Sequence, residues 1–249
     1  MEAPTVTKLS KRPAPVLDLP GDTLDELPQH RLIVGGTTAL AVSGALLKAV
    51  ELGDPSRIVA AVGLAVIFAD FLTGVFHWGT DNYGSLSTPL VGEACAAFQG
   101  HHKAPWTITY RSTCNNVFKI AKIVSPLMAL AILVAPPFLG LFLIVALFAQ
   151  VCSQEFHRYS HFLPSELPKY ARTLQNLRLA VSTAEHGRHH TVPYDGHYCI
   201  FNGMLNPLLD DSKFFRRLEA AVYRTTGIEP NCWNEGVKGQ RIKNIALNL

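Results

Sequence analysis

Two long apolar runs follow a polar, proline-rich opening. The first, Leu32 to Val50 (LIVGGTTALAVSGALLKAV), and the second, Ile58 to Phe76 (IVAAVGLAVIFADFLTGVF), are separated only by the polar turn ELGDPSR. About 20 apolar residues suffice for an α-helix to cross a bilayer, so each run predicts a crossing. A third apolar region extends from Phe118 to about Val151 and contains Pro136-Pro137. Two consecutive prolines remove two backbone donors and stop a helix. The region therefore divides into FKIAKIVSPLMALAILVA and FLGLFLIVALFAQV, a third and a fourth crossing. Beyond them the apolar positions become periodic instead of continuous. Leu174 to Thr183 (LQNLRLAVST) predicts an interfacial helix that carries the following EHGRHH. Phe214, Phe215, Leu218 and Val222 sit at helical spacing after an acidic start at Asp210, which predicts an amphipathic helix.

Four crossings impose parity. The ends of the second and fourth helices and the start of the third must lie on one side of the membrane. His77 falls just past the second apolar run, His101 and His102 in the loop before the third, and His157 just past the fourth. Nothing after His157 is apolar for long enough to cross again, so nine of the ten histidines share one face. Arg31, Lys103, Arg111, Lys119, Lys122 and Arg158 sit on that face, against Lys48 and Arg57 on the other. The positive-inside rule makes the histidine face cytosolic, or stromal in a plastid.

Composition agrees with a chain that lives in lipid. The 249 residues are 48% hydrophobic and only 16% charged, and the mean hydropathy is +0.18. A net charge of +3 without a Lys/Arg-rich run argues against nucleic acid as a partner. Five scattered cysteines lack a C-x-x-C pair and fit neither a disulfide framework nor a zinc knuckle. The first thirty residues combine prolines with Glu2, Asp18, Asp22, Asp25 and Glu26 and have no apolar core of a secretory signal. The expectation is an all-α integral membrane protein of about four transmembrane helices with a histidine-rich cytosolic or stromal cap. Residues 1–30 would form a disordered arm, 31–235 the membrane domain and 236–249 a flexible tail.

The histidines fall into four groups: VFHWGTD (His77), FQGHHKAPW (His101, His102), QEFHRYSH (His157, His161) and EHGRHHTVPYDGHY (His186, His189, His190, His197). Residues i and i+4 share a helix face, so His157 and His161 can aim at one ion, and His186, His189 and His190 offer three nitrogens. His101 and His102 cannot share a face on a regular helix. They would serve two ions, or one through irregular backbone. A lone histidine is as readily a hydrogen-bonded or surface residue, but nine on one membrane face point to metal. Eight or nine imidazoles exceed the three or four that one zinc takes and suit two irons, with His197 a possible ninth ligand. Imidazole itself does not separate iron, zinc and copper. The protease signature H-E-x-x-H is absent. Asp70 lies within an apolar helix, where an ionisable group is costly and commonly functional. Asp70, seven residues before His77, and Asp81, four after it, could each orient an imidazole or ligate directly. Glu155 and Glu185 are candidates for outer or salt-bridging roles. Trp78, Trp106 and Tyr83 fit an interfacial aromatic belt, and Asn202 and Asn206 fit turns or a water site near the metals.

The ordered combination FADFLTGVFHWGTDNYG, FQGHHKAPWTIT, QEFHRYSH and EHGRHHTVPY…YCIFNGMLNPLLDDSKFF resembles the lipid desaturase domain. That domain is shared by plant chloroplast palmitate desaturases, the Kua proteins and plasmanylethanolamine desaturases. The resemblance implies a di-iron enzyme with O2 as co-substrate and His77, His101, His102, His157, His161, His186, His189 and His190 as metal ligands. For the plant branch it implies a trans double bond at carbon 3 of palmitate in phosphatidylglycerol. It further implies ferredoxin as electron donor and a chloroplast membrane, thylakoid or envelope; in the endoplasmic reticulum the donor would be cytochrome b5. A di-iron lipid hydroxylase, a plasmanylethanolamine-type desaturase and a metal-binding membrane anchor are the alternatives.

Overall fold

A computed structural model describes residues 12–249, and among these the regular structure is entirely helical. Four helices are long and apolar enough to cross a membrane: α1 (Pro28–Leu52), α2 (Pro55–Asn82), α4 (Thr113–Val134) and α5 (Pro137–Ser160). Between α2 and α4 lies the short α3 (Gly92–His101), followed by a 3-10 turn over Pro105–Tyr110. After α5 come α6 (Lys169–Asn176), α7 (Thr183–His189), α8 (Asn206–Asp211), α9 (Phe214–Thr226) and α10 (Gly236–Leu247).

The breaks occur where the local chemistry demands them. Gly53 ends α1 with φ +63°, a conformation that glycine adopts at little cost. Asp54 then caps α2, its Oδ1 accepting from the amides of Ser56 at 2.8 Å and Arg57 at 3.3 Å, with Pro55 in the first turn. Pro137 opens α5 directly after the double-proline break. At 28 residues α2 is about 42 Å long, well beyond a hydrocarbon core of ~30 Å. Its last turns therefore project from the bilayer as helix. His77 and Asp81 lie inside α2 instead of past its end, and His157 lies inside the last turn of α5. The helices outlast their apolar runs because backbone hydrogen bonding does not require apolar side chains.

Helix α5 is the central element, with α1, α2 and α4 packed on it and α1 also on α4. Met128, Ile144, Val117, Ala121 and Ala131 form the core of that bundle. Gly44 of α1 allows a close approach, since a Cβ there would fall 2.4 Å from the Ile132 Cδ1. Over the histidine end sits a second core of Trp78, Tyr198, Cys199, Leu209 and Phe215. The sequence-predicted amphipathic helix contributes Phe215 to this core as α9, although Lys213, in the left-handed region, precedes it in place of an acidic cap.

Four expectations change. Residues 1–11 of the expected disordered arm lie outside the described residues, but 12–27 run along the cap and are tied to it. The amide of Val16 donates to Thr107 Oγ1 (3.0 Å), Trp106 Nε1 to the Ala14 carbonyl (3.0 Å), and Asn115 Nδ2 to the carbonyls of Thr23 and Asp25. Arg111 pairs with Asp22. The expected flexible tail forms α10, which buries Ala246 against Cys232 and Trp233. The expected interfacial helix across 174–183 is broken after Asn176; a turn follows, and Ser182 starts α7 afresh by accepting from the Glu185 amide. Trp78 is also no belt residue: it is buried and donates to Glu219 Oε1 at 3.3 Å.

Candidate metal centre

The eight motif histidines and one carboxylate gather at the C-terminal ends of α2 and α5 as two adjoining groups. His101, His157, His161, His186 and His190 form one; His77, Asp81, His102 and His189 form the other. Within each group the potential ligand atoms lie within 4.8 Å of one another. His157 and His161 reach one group from the end of α5, as their spacing predicts. His77 and Asp81 reach the other from α2. The neighbours His101 and His102 diverge at the end of α3, one to each group. The α7 triple divides as well: His186 and His190, one turn apart, stay together while His189 joins the second group. The ring of His189 is turned by a bond from its Nδ1 to the Gly196 carbonyl at 2.9 Å.

Donor chemistry shows what these groups can hold. A carbonyl only accepts, so the bonds from His189 Nδ1 to Gly196 and from His77 Nδ1 to Tyr198 (3.0 Å) place the ring hydrogens on Nδ1. Both Nε2 atoms then present bare lone pairs. Each faces Asp81 Oδ2, another lone-pair atom, at 3.3 Å, and His102 Nε2 lies 3.5 Å from the same oxygen. No proton of these two rings can sit between them; a cation can. Four donors arranged tetrahedrally at 2.0–2.1 Å from an ion lie about 3.3–3.4 Å apart, and adjacent corners of an octahedral shell about 2.9–3.0 Å. Spacings in the second group run from 3.0 Å, between His102 Nε2 and His189 Nε2, to 3.5 Å, and so span both values. In the five-histidine group, His101 Nε2 lies 2.9 Å from His161 Nε2, and His190 Nε2 lies 3.0 Å from His186 Nε2, matching the second. His77 Nε2, both Asp81 oxygens, both His157 nitrogens and His186 Nδ1 are buried without a hydrogen-bond partner. Buried polar atoms are rarely orphaned, and a pair of metal ions would satisfy most of these. The residues fit two metals.

Electrostatics keep the ligands in the binding form. Burial, reinforced by neighbouring imidazoles, holds His101, His161 and His186 well below the ordinary histidine range. Burial lowers His102 and His189 to about 4, with Asp81 pulling His102 upward, and lowers His190 to about 3. These rings are neutral at neutral pH, as ligation requires. In the unfolded chain they titrate near pH 6.5. Between about pH 6.5 and 4 the unfolded chain binds protons that the folded chain refuses, so stability is fullest above that window and falls through it on acidification. Thermal unfolding and bound metal followed from neutral pH to about pH 4.5 should decline together; an unfolding midpoint that is flat or rises would contradict this electrostatic picture.

The remaining sequence candidates take other places. Asp70 neither ligates nor orients an imidazole. Its Oδ1 accepts from the amides of Asn202 (3.0 Å) and Gly203 (2.9 Å), and its Oδ2 from that of Leu205 (3.0 Å). Those amides belong to a loop with irregular backbone, and a carboxylate is the side chain that can take three of them at once. His197 stands outside both groups: its Nδ1 bonds Glu185 Oε1 at 2.8 Å, and its amide donates to Asp210 Oδ2. His197→Phe should therefore retain the full metal complement and activity within about tenfold, the lower end of outer-partner losses; loss of a metal equivalent would restore it as a ligand. Glu185 also accepts from Asn206 Nδ2 at 3.1 Å, and the Asn206 Oδ1 accepts from the Cys199 amide. Glu155 pairs with Arg158 and takes bonds from Thr113 and Asn116, which ties the end of α5 to the start of α4. The carbonyls of Tyr198 and Gly196, which aim two rings, carried no side-chain signal in the sequence.

Two adjoining histidine-rich groups at one end of four membrane-capable helices are features that suit a membrane oxidoreductase, and comparison with known proteins supplies the class. A family model of the lipid desaturase domain matches residues 66–233, a span that includes every member of both groups, and the chain belongs to that family. It is 39% identical over 219 residues to fatty acid desaturase 4-like 1, chloroplastic, of Arabidopsis thaliana, covering 86% of this chain and 74% of that one. To fatty acid desaturase 4, chloroplastic, of the same plant it is 41% identical over 212 residues, covering 83% and 65%. To plasmanylethanolamine desaturase of Myxococcus xanthus it is 31% identical over 196 residues, covering 76% and 69%. No solved structure matches the chain.

Proposed function

We propose that the chain is a di-iron, O2-dependent desaturase that acts on a membrane glycerolipid near the headgroup end of an acyl chain. The observation that carries this reading is the pair of adjoining ligand groups, five histidines beside three histidines and Asp81. Its most specific form is a trans double bond at carbon 3 of palmitate in phosphatidylglycerol, supported by similarity to the chloroplastic desaturases. The same relatives support a chloroplast membrane; within that reading we place the protein in thylakoid or envelope with the histidine face toward the stroma and ferredoxin as donor, the alternative being the endoplasmic reticulum with cytochrome b5.

Removing hydrogen from an unactivated chain needs an oxidant stronger than any side chain, and two bound irons with O2 supply it. The reaction balances as –CH2–CH2– plus O2, two electrons and two protons giving –CH=CH– and two waters. The chain's own residues provide the rest. Tyr198 and Gly196 fix the orientation of His77 and His189, and Asp81 offers the one carboxylate donor in a pocket otherwise built from imidazoles. Because the ligands sit at helix ends near headgroup level, the attacked carbons lie close to the ester; a mid-chain site would require a deep tunnel.

The test is lipid analysis of a host lacking this activity, with metal content of the purified protein. Loss of two hydrogens near the ester and two irons per chain are expected. Gain of one oxygen would make the protein a hydroxylase, and unsaturation only at mid-chain would overturn the positional reading. A vinyl ether would move the substrate to the plasmanylethanolamine type, which the Myxococcus relative favours.

A further inference from the structure

Helices α2 and α4 both pack on α5 but have no substantial packing on each other. Helix α3 bridges their histidine ends. Its Glu93 pairs with Lys119 of α4 at 2.9 Å, its Phe98 meets Phe76 of α2 edge-on with centroids 5.8 Å apart, and its Gln99 Nε2 donates to the Thr80 carbonyl of α2 at 2.9 Å. Beside α3 is a cavity of about 140 Å³ whose lining includes Ala97, Phe98, Ile108 and Leu19 together with the ligand candidates His101 and His157.

The segment leading into α3 is unusual for an aqueous cap. Leu86, Leu90 and Val91 are 49%, 105% and 41% exposed. Lys119 stands in the second turn of α4, where the apolar span of that helix begins, so its partner Glu93 and the adjoining Leu90-Val91 lie at headgroup level. Apolar side chains exposed at that depth are stabilised by lipid and not by water. A second cavity, about 270 Å³, opens between α1, α2 and α5 beside Val42, Val66, Phe148 and Phe156; none of the ligand candidates lines it.

We propose that the substrate's acyl chain reaches the metals sideways from the bilayer, between α2 and α4, with α3 as lintel and Leu86–Val91 as a lip seated among the headgroups. The inference rests on the desaturase reading and adds the route and its residues. The lipid need not leave the membrane: its tail stays between α2 and α4 while the carbons next to the ester rise past Ala97 to His101 and His157.

The test uses the metal-loaded full chain in phosphatidylglycerol vesicles supplied with O2 and reduced ferredoxin, with a phosphatidylglycerol bearing a photoreactive diazirine close to the ester. Crosslinks are expected on α3 and the 3-10 turn. Ala97→Trp should lower both crosslinking there and desaturation by about 100-fold, the scale of a misplaced reacting group, with metal content unchanged; Ala97→Leu should fall in between. Val42→Trp, in the other cavity, should leave both within about twofold, as expected for a residue remote from the reacting atoms. Crosslinks confined to Phe148–Phe156, or a block by Val42→Trp with Ala97→Trp silent, would overturn the route. Crosslinks at α3 without any unsaturated product from the native chain would uphold the route and sink the desaturase reading instead.

Discussion

His186→Ala is expected to remove one of two metals and to lower lipid desaturation by well over 100-fold, beyond the 10–100-fold that follows loss of an outer hydrogen-bond partner. His186 is buried, its Nε2 is 3.0 Å from His190 Nε2, and its group shares no residue with the group of His77, Asp81, His102 and His189. Removing one imidazole from a five-member shell leaves a buried hole where a donor stood. The matched variant His102→Ala should strip the other metal. Each protein should therefore retain about one metal equivalent, because the groups are held by different sets of side chains. Metal analysis of the purified variants, beside lipid profiles, checks both statements. Two metals bound in either variant would dismantle the assignment, and loss of both metals from each would show that the groups do not fold independently.

Asp70→Ala should destabilise the protein by about 3 kcal/mol or more, since three amides lose their acceptor and each buried unsatisfied donor costs about 1–3 kcal/mol. The damage would spread along the loop. Ile200 is held by Thr73 Oγ1 at 3.1 Å and Cys199 by Asn206, and the same stretch carries the Tyr198 carbonyl that aims His77. Activity should drop as a consequence of a mispositioned His77, although Asp70 touches no ligand atom. Asp70→Asn retains one acceptor oxygen and should fall between the native protein and the alanine variant. Thermal unfolding of the metal-free protein in detergent separates this role from ligation: Asp70→Ala should lower the metal-free midpoint as well, whereas loss of a ligand should destabilise chiefly the metal-loaded form.

Asp70 also marks where reading the sequence runs out. An ionisable group in an apolar helix signalled a site residue, but its partners are 132 to 135 residues away and are backbone amides. Amides carry no residue identity, so no pattern could name them. The same holds for the carbonyls that orient His77 and His189. Asp81 is the reverse case. Four residues after His77 on a helix, it had to share that histidine's face, and only its choice between ligand and outer partner was open. The arm at 12–27 misled because composition reports how much apolar surface a segment can bury, and this one is fastened by polar bonds to Thr107, Trp106, Asn115 and Arg111 instead.

What the chain alone determined follows from short-range rules. Apolar run length set four crossings, parity put the histidines on one face, and the i, i+4 spacing joined His157 with His161 and His77 with Asp81. Tertiary structure decided how eight imidazoles divide. His101 and His102 part company, and His189 leaves its neighbours, because a ring's direction is settled by the carbonyl or facing ligand it meets, and those come from helices and a loop that only the fold brings together.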